Sequence, residues 1–145
     1  MDNAPRHYLL IGNETLNSPA VYAWIDRAIA AGACCFTVVV PATPVRRRFT
    51  WTEGEAIAAA RERLESVLST LRARGADVAN GVVGDADPVE AALDALRTHR
   101  ADAVVISTFP RGVSKWLRMD AVARLRRSVD VPVIHLTAVS ELVAA

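Results

Sequence analysis

The residues best suited to chemistry fall in four polar segments, each following an apolar run: Asn13 to Asn17, Pro41 to Thr50, Gly84 to Asp87, and Ser107 to Met119. Arg46, Arg47 and Arg48 in the second and Arg111, Lys115 and Arg118 in the fourth could rim one crevice and take up an anion by charge-assisted hydrogen bonds. Solvated loop charge is the plainer use of such residues, and Glu14, Asp85 and Asp87 on the same edge partly neutralise them. Ser107 and Thr108 carry hydroxyls that could bind a ligand or satisfy their own loop. Trp116 could stack on a base or pin that loop to the core.

Catalysis has thinner support. No Gly-x-Ser-x-Gly elbow, Walker loop or metal-ligand spacing occurs, and Ser107 has no identifiable histidine partner. Asp85 and Asp87, two apart in a turn, suit helix capping better than a shared proton. His7, His99 and His135 lie on separate elements. Cys34 and Cys35 are adjacent in an apolar run, so their side chains point to opposite faces of a strand and are expected to be free thiols with no charge nearby. A non-enzyme is therefore expected, without a metal.

Composition sets the outer bounds. A chain of 145 residues with 52% apolar content suits one domain over 1–145, and a net charge of +1 gives no bias toward nucleic acid or an anionic membrane. No apolar h-region follows the start, and no apolar run approaches the roughly 18 residues of a membrane span. A cytoplasmic protein is expected.

Strand and helix patterns alternate throughout. Strands are expected near residues 7–12, 34–40, 77–83, 102–107 and 132–137. Between them, Ser18-Pro19, Thr52 with Glu55, and Asp87-Pro88 read as helix starts, while Gly32 and Gly75 read as stops. A last helix is expected over Asp120 to Arg127, with Asp120 as its N-cap. This layout predicts a doubly wound α/β fold, a parallel sheet with helices on both faces. Ligands in such sheets bind beyond the carboxyl ends of the strands where the strand order reverses. Pattern alone leaves the orders 2-1-3-4-5 and 3-2-1-4-5 open.

Over nearly its whole length the chain resembles the universal stress protein family. That family typically has an aspartate after the first strand, a valine near the end of the second, a Gly-x-Pro-like turn before the third helix, and Gly-x-x-Gly, nine residues, then Gly-Ser or Gly-Thr after the fourth strand. Here Gly12-Asn13, Val39-Val40-Pro41 and Gly84 through Pro88 fit the first three positions, with asparagine for the aspartate. At the fourth, Ser107 and Pro110 replace the two glycines, and Asp120-Ala121 replaces the last pair. The resemblance implies the order 3-2-1-4-5 of the adenine nucleotide alpha hydrolase-like fold, and a nucleotide pocket at Gly12, Asn13, Val40, Gly84, Ser107, Thr108, Arg111 and Asp120.

The departures bear on that pocket. Backbone N–H groups at glycines hold phosphate, and proline has none to offer. A carboxylate at position 120 repels it. The resemblance thus implies a regulatory or binding module of the stress response that does not take ATP in the family's usual pose. No cofactor is expected, with ATP or AMP as the ligand left open. The alternatives are anion or nucleotide binding through the arginine rim and, further off, an enzyme of the nucleotide-binding α/β group. The partners implied are a second copy through the last strand and an unknown protein. His135 on that strand reads as packed, or as a pH-sensitive interface residue.

Overall fold

The computed structural model describes residues 4–42, 52–109 and 115–137, with backbone alone at 53 and 115–119. Its strands are β1 (Arg6–Ile11), β2 (Cys34–Pro41), β3 (Val78–Gly84), β4 (Ala103–Thr108) and β5 (Val133–Thr137). The helices are α1 (Pro19–Ala31), α2 (Glu53–Ala73), α3 (Pro88–Thr98) and α4 (Lys115–Ser128). All four ladders are parallel, in the order β3-β2-β1-β4-β5. The expected sheet and its order are both present, with strand ends shifted by at most one residue.

The strand alternation builds a core on each face. Leu10, Phe36, Val38 and Val40 meet Val21 and Ile25 of α1 and Ala60, Leu64, Val67 and Leu71 of α2. On the other face, Leu9, Ile11, Val39, Val104 and Ile106 meet Val89, Ala92 and Ala95 of α3 and Val122 and Leu125 of α4. Leu9, Leu10 and Ile11 are fully buried, and each such side chain contributes roughly 1.5 to 3 kcal/mol. β1 is thus central in hydrogen bonding and in burial.

The helix termini follow local chemistry, with two departures. Thr52 accepts the Glu55 N–H at 3.0 Å, and Asp87 accepts the Val89 N–H at 2.9 Å ahead of Pro88. α2 closes on Gly75 at φ +93°, where the Gly75 N–H reaches Arg72 O and the Ala76 N–H reaches Leu71 O, each at 3.0 Å. Ser18 holds the N-cap position of α1, yet its side chain makes no capping bond. Its hydroxyl is buried and has no partner among the described residues. Asp120 is not an N-cap. α4 begins at Lys115, so Asp120 lies inside the helix, where its own N–H belongs to the helical ladder.

Candidate ligand site

β1 lies between β2 and β4, so the strand order reverses here, and folds of this class bind ligands beyond the strand ends at such a reversal. Gly12 lies at this edge, directly after β1. A Cβ there would fall 2.9 Å from Leu16 Cδ2 and 3.2 Å from Ser107 Oγ, so only glycine lets the turn lie this close to β4. The same turn carries Asn13, whose Nδ2 donates to Pro41 O at the end of β2 at 3.0 Å. Two residues on, Thr15 Oγ1 shares a short hydrogen bond with Ser107 Oγ, and both residues are buried.

The neighbouring strand ends are tied in the same way. Ala42 N–H donates to Gly84 O at 3.0 Å, extending the β2–β3 ladder past its last pair. Gly84 also lets α3 approach, because a Cβ there would stand 2.6 Å from Ala91 Cβ. On β4, Thr108 turns away from the crevice floor toward β5, where its Oγ1 lies 2.6 Å from His135 Nε2. Val40 points into the core against α1 and α2 and is fully buried, so its side chain presents nothing to a ligand.

The acidic groups face α4. Asp85 Oδ1 accepts the Asp87 N–H at 2.9 Å, and Asp87 Oδ2 takes Arg124 Nη2 at 2.9 Å. Asp120 reaches the same guanidinium at 3.8 Å. The Arg124 hydrogen bond, aided by the Val89 N–H and opposed by burial, holds the Asp87 carboxyl below its ordinary range.

Of the residues expected to form the site, the structure brings Gly12, Asn13 and Ser107 together and joins Gly84 to them through the end of β2. It sends Thr108 to β5 and Asp120 to Arg124. Among the described residues, Ser107 and Thr108 each find a partner far along the chain. Arg46, Arg47, Arg48, Pro110 and Arg111 lie outside the described residues, as do the side chains of Lys115, Trp116 and Arg118. The sequence reading missed Thr15, the Pro41 carbonyl and Arg124, and read His135 as a packed strand residue without its Thr108 partner. For His135 a signal existed: Ile106 pairs with it in register, so Thr108, two residues on, shares its face.

A second polar contact lies at the opposite end of the sheet. Cys35 Sγ is 2.9 Å from His7 Nδ1, and burial, with Asp77 and Asp102 in range, pushes the Cys35 thiol pKa up. The expectation that no charge lay near the cysteines is corrected by Asp77 and Asp102, whose carboxylates lie in electrostatic range of Cys35. Both cysteines are free thiols. Among the described residues, no three His, Cys, Asp or Glu side chains converge as a metal-binding group, and no helix is long and apolar enough to cross a membrane.

No family model matches the chain, and no curated protein matches its sequence. Solved structures match its fold. A universal stress protein from Archaeoglobus fulgidus in complex with dAMP is 17% identical, covers 94% of this chain and 100% of its own, and superposes with a TM-score of 0.59. An Arabidopsis thaliana protein of the universal stress protein family with AMP bound is 12% identical, with 95% of each chain covered and a TM-score of 0.64. A universal stress protein in complex with cAMP is 18% identical, covers 92% of this chain and 98% of its own, and gives 0.59. The chain therefore has the universal stress protein fold, the five-stranded sheet in the order 3-2-1-4-5.

Proposed function

We propose that this chain is a cytoplasmic universal stress protein-type regulatory module whose switch-point pocket does not hold ATP in that family's usual pose. One observation carries the reading: polar groups at the crevice are paired with one another. Asn13 bonds the Pro41 carbonyl, Ala42 bonds Gly84 and Ser107 bonds Thr15. A nucleotide entering here must break these pairs before it forms its own, and each hydrogen bond exchanged returns only about 1 kcal/mol. The module acts by binding a protein partner or a second copy of itself, the latter through β5.

A second reading, adenine-nucleotide or anion binding aided by the arginine run, is favoured by the AMP, dAMP and cAMP in the fold neighbours. Titration calorimetry with AMP, and separately with ATP and magnesium, decides between the two. No heat and no change in melting temperature at millimolar nucleotide is the expected result, since ligand at 100 times its dissociation constant would stabilise by about 2.7 kcal/mol. Micromolar binding of either nucleotide sinks the first reading. Loss of that binding in Arg111→Ala would then assign the contact to the rim.

A further inference from the structure

Two buried side-chain polar atoms lack a hydrogen-bond partner among the described residues, Ser18 Oγ and Arg63 Nε. They belong to neighbouring parts of the fold. α2 turns one stripe toward α1 and the turn before it: Asn17 Nδ2 donates to Ser66 Oγ at 3.4 Å, and Arg74 pairs with Asp26 at 2.6 Å. These contacts run in parallel order, so residues earlier on α2 lie toward the end where α1 begins. Arg63 stands three residues before Ser66 on that stripe, roughly 5 to 6 Å away between Cβ atoms, and helical side chains lean toward the N-terminus. It therefore sits beside the start of α1.

That start has donors to spare. The Tyr22 N–H donates to Ser18 O at 3.0 Å, but the N–H groups of Ala20 and Val21 have no acceptor among the described residues, and Ser18 does not cap them. Ser18 is fully buried, whereas Pro19 and Ala20 are exposed, so solvent reaches the outer side of the turn and a change of χ1 brings the hydroxyl to it. No acidic side chain lies in this first turn, and half-buried Arg63 forms no ion pair among the described residues. A helix start, a hydroxyl and an unpaired guanidinium together suit an oxyanion. Half-buried Glu14, four residues before Ser18, and exposed Glu62 and Glu65 on either side of Arg63 oppose it, so affinity is modest and falls with salt.

We propose that Ser18 Oγ, the Ala20 and Val21 N–H groups and Arg63 bind a phosphate-type oxyanion, free or as the terminal group of a small phosphomonoester. The site lies on the α1–α2 face, away from the segment Ser107 to Asp120. It is independent of the reading of the crevice, because it needs no nucleobase there.

The experiment follows amide 1H–15N resonances of the purified chain in buffer free of phosphate and sulfate while inorganic phosphate is added, with chloride at equal ionic strength as the control and AMP as a second probe. Saturation with a dissociation constant of roughly 1 mM or tighter is expected, moving the Ala20 and Val21 amides and leaving Val89, whose N–H Asp87 already holds, in place. Arg63→Gln should weaken binding about tenfold or more, Arg63→Lys less, and Ser18→Ala about fivefold. AMP moving the same amides assigns the site to phosphomonoesters, and phosphate acting alone assigns it to the free anion. Unmoved Ala20 and Val21 amides, shifts that chloride reproduces, or affinity untouched in both Arg63→Gln and Ser18→Ala overturn the site. AMP shifts confined to Gly12 and Ser107 would count against the reading of the crevice, and the phosphate titration would still decide this one.

Discussion

Arg124 Nη2 lies 2.9 Å from Asp87 Oδ2, while Asp87 Oδ1 caps α3 through the Val89 N–H. One carboxylate thereby joins the start of α3 to the middle of α4. Asp87→Ala is expected to cost about 1 kcal/mol through the lost cap, or roughly 2 to 4 °C in melting temperature. Arg124→Ala should cost less, because the cap survives. The pH dependence has a definite sign. The folded Asp87 pKa lies below its ordinary 3.8, so the pair's contribution is full above that value and disappears as pH falls through the folded one. Melting curves should separate wild type from Arg124→Ala at pH 6 and converge as pH falls below 3.8. A gap that persists in acid would assign the effect to packing.

Gly84 faces Ala91 across the β3–α3 contact, where a methyl would stand 2.6 Å from Ala91 Cβ and 3.3 Å from both Ala91 Cα and Val39 Cγ1. Gly84→Ala is expected to destabilise by about 1 to 3 kcal/mol in chemical denaturation. Ala91→Gly should recover part of this in the double variant beyond additivity. Two additive losses would mean that α3 moves away as a unit.

Ser18 gives a prediction opposite to the usual cap rule. A serine cap lost to alanine ordinarily costs about 1 kcal/mol, but this hydroxyl makes no capping bond and is buried without a partner among the described residues. Ser18→Ala should leave stability unchanged or raise it. A loss of 1 kcal/mol or more would reveal a hydrogen bond that the structure does not show.

Among the described residues, β5 pairs only with β4, with Val133, Ile134, His135 and Leu136 half-buried and no Lys, Asp or Glu in the strand. β3, at the other edge, is protected differently: exposed Asn80 and Gly81 and an irregular register near Phe36 interrupt it. Self-pairing through β5 is expected to give a dimer by light scattering at high micromolar concentration. Ile134→Lys should return a monomer. A wild-type monomer at that concentration would leave the edge without its proposed partner.

Much of the fold was legible in the residues themselves. β-branched runs such as Cys34 to Val40 mark strands covered on both faces, and the two core clusters bear this out. Strand order was not in the pattern; it came with the family resemblance. The fourth helix was misread at its start because Asp120 has a capping side chain, whereas the helix already runs from Lys115. Site pairing was the least legible part. Thr15 and Ser107 are 92 residues apart, and Cys35 and His7 are 28 apart; such contacts are set by register and topology, which local spacing does not encode.

The position of β4 has a consequence for how the chain is made. The bond from His7 to Asp102 spans 95 residues, so β1 gains its second neighbour only after β2, α2, β3 and α3 have been synthesised. Throughout that interval the central strand of the nascent protein has one raw edge, while Leu9 and Ile11 wait for the rest of their core cluster from β4 and α4. On a ribosome adding about 5 to 20 residues each second, this exposure lasts roughly 5 to 20 seconds. The emerging first half is therefore a natural client for a chaperone at the exit tunnel.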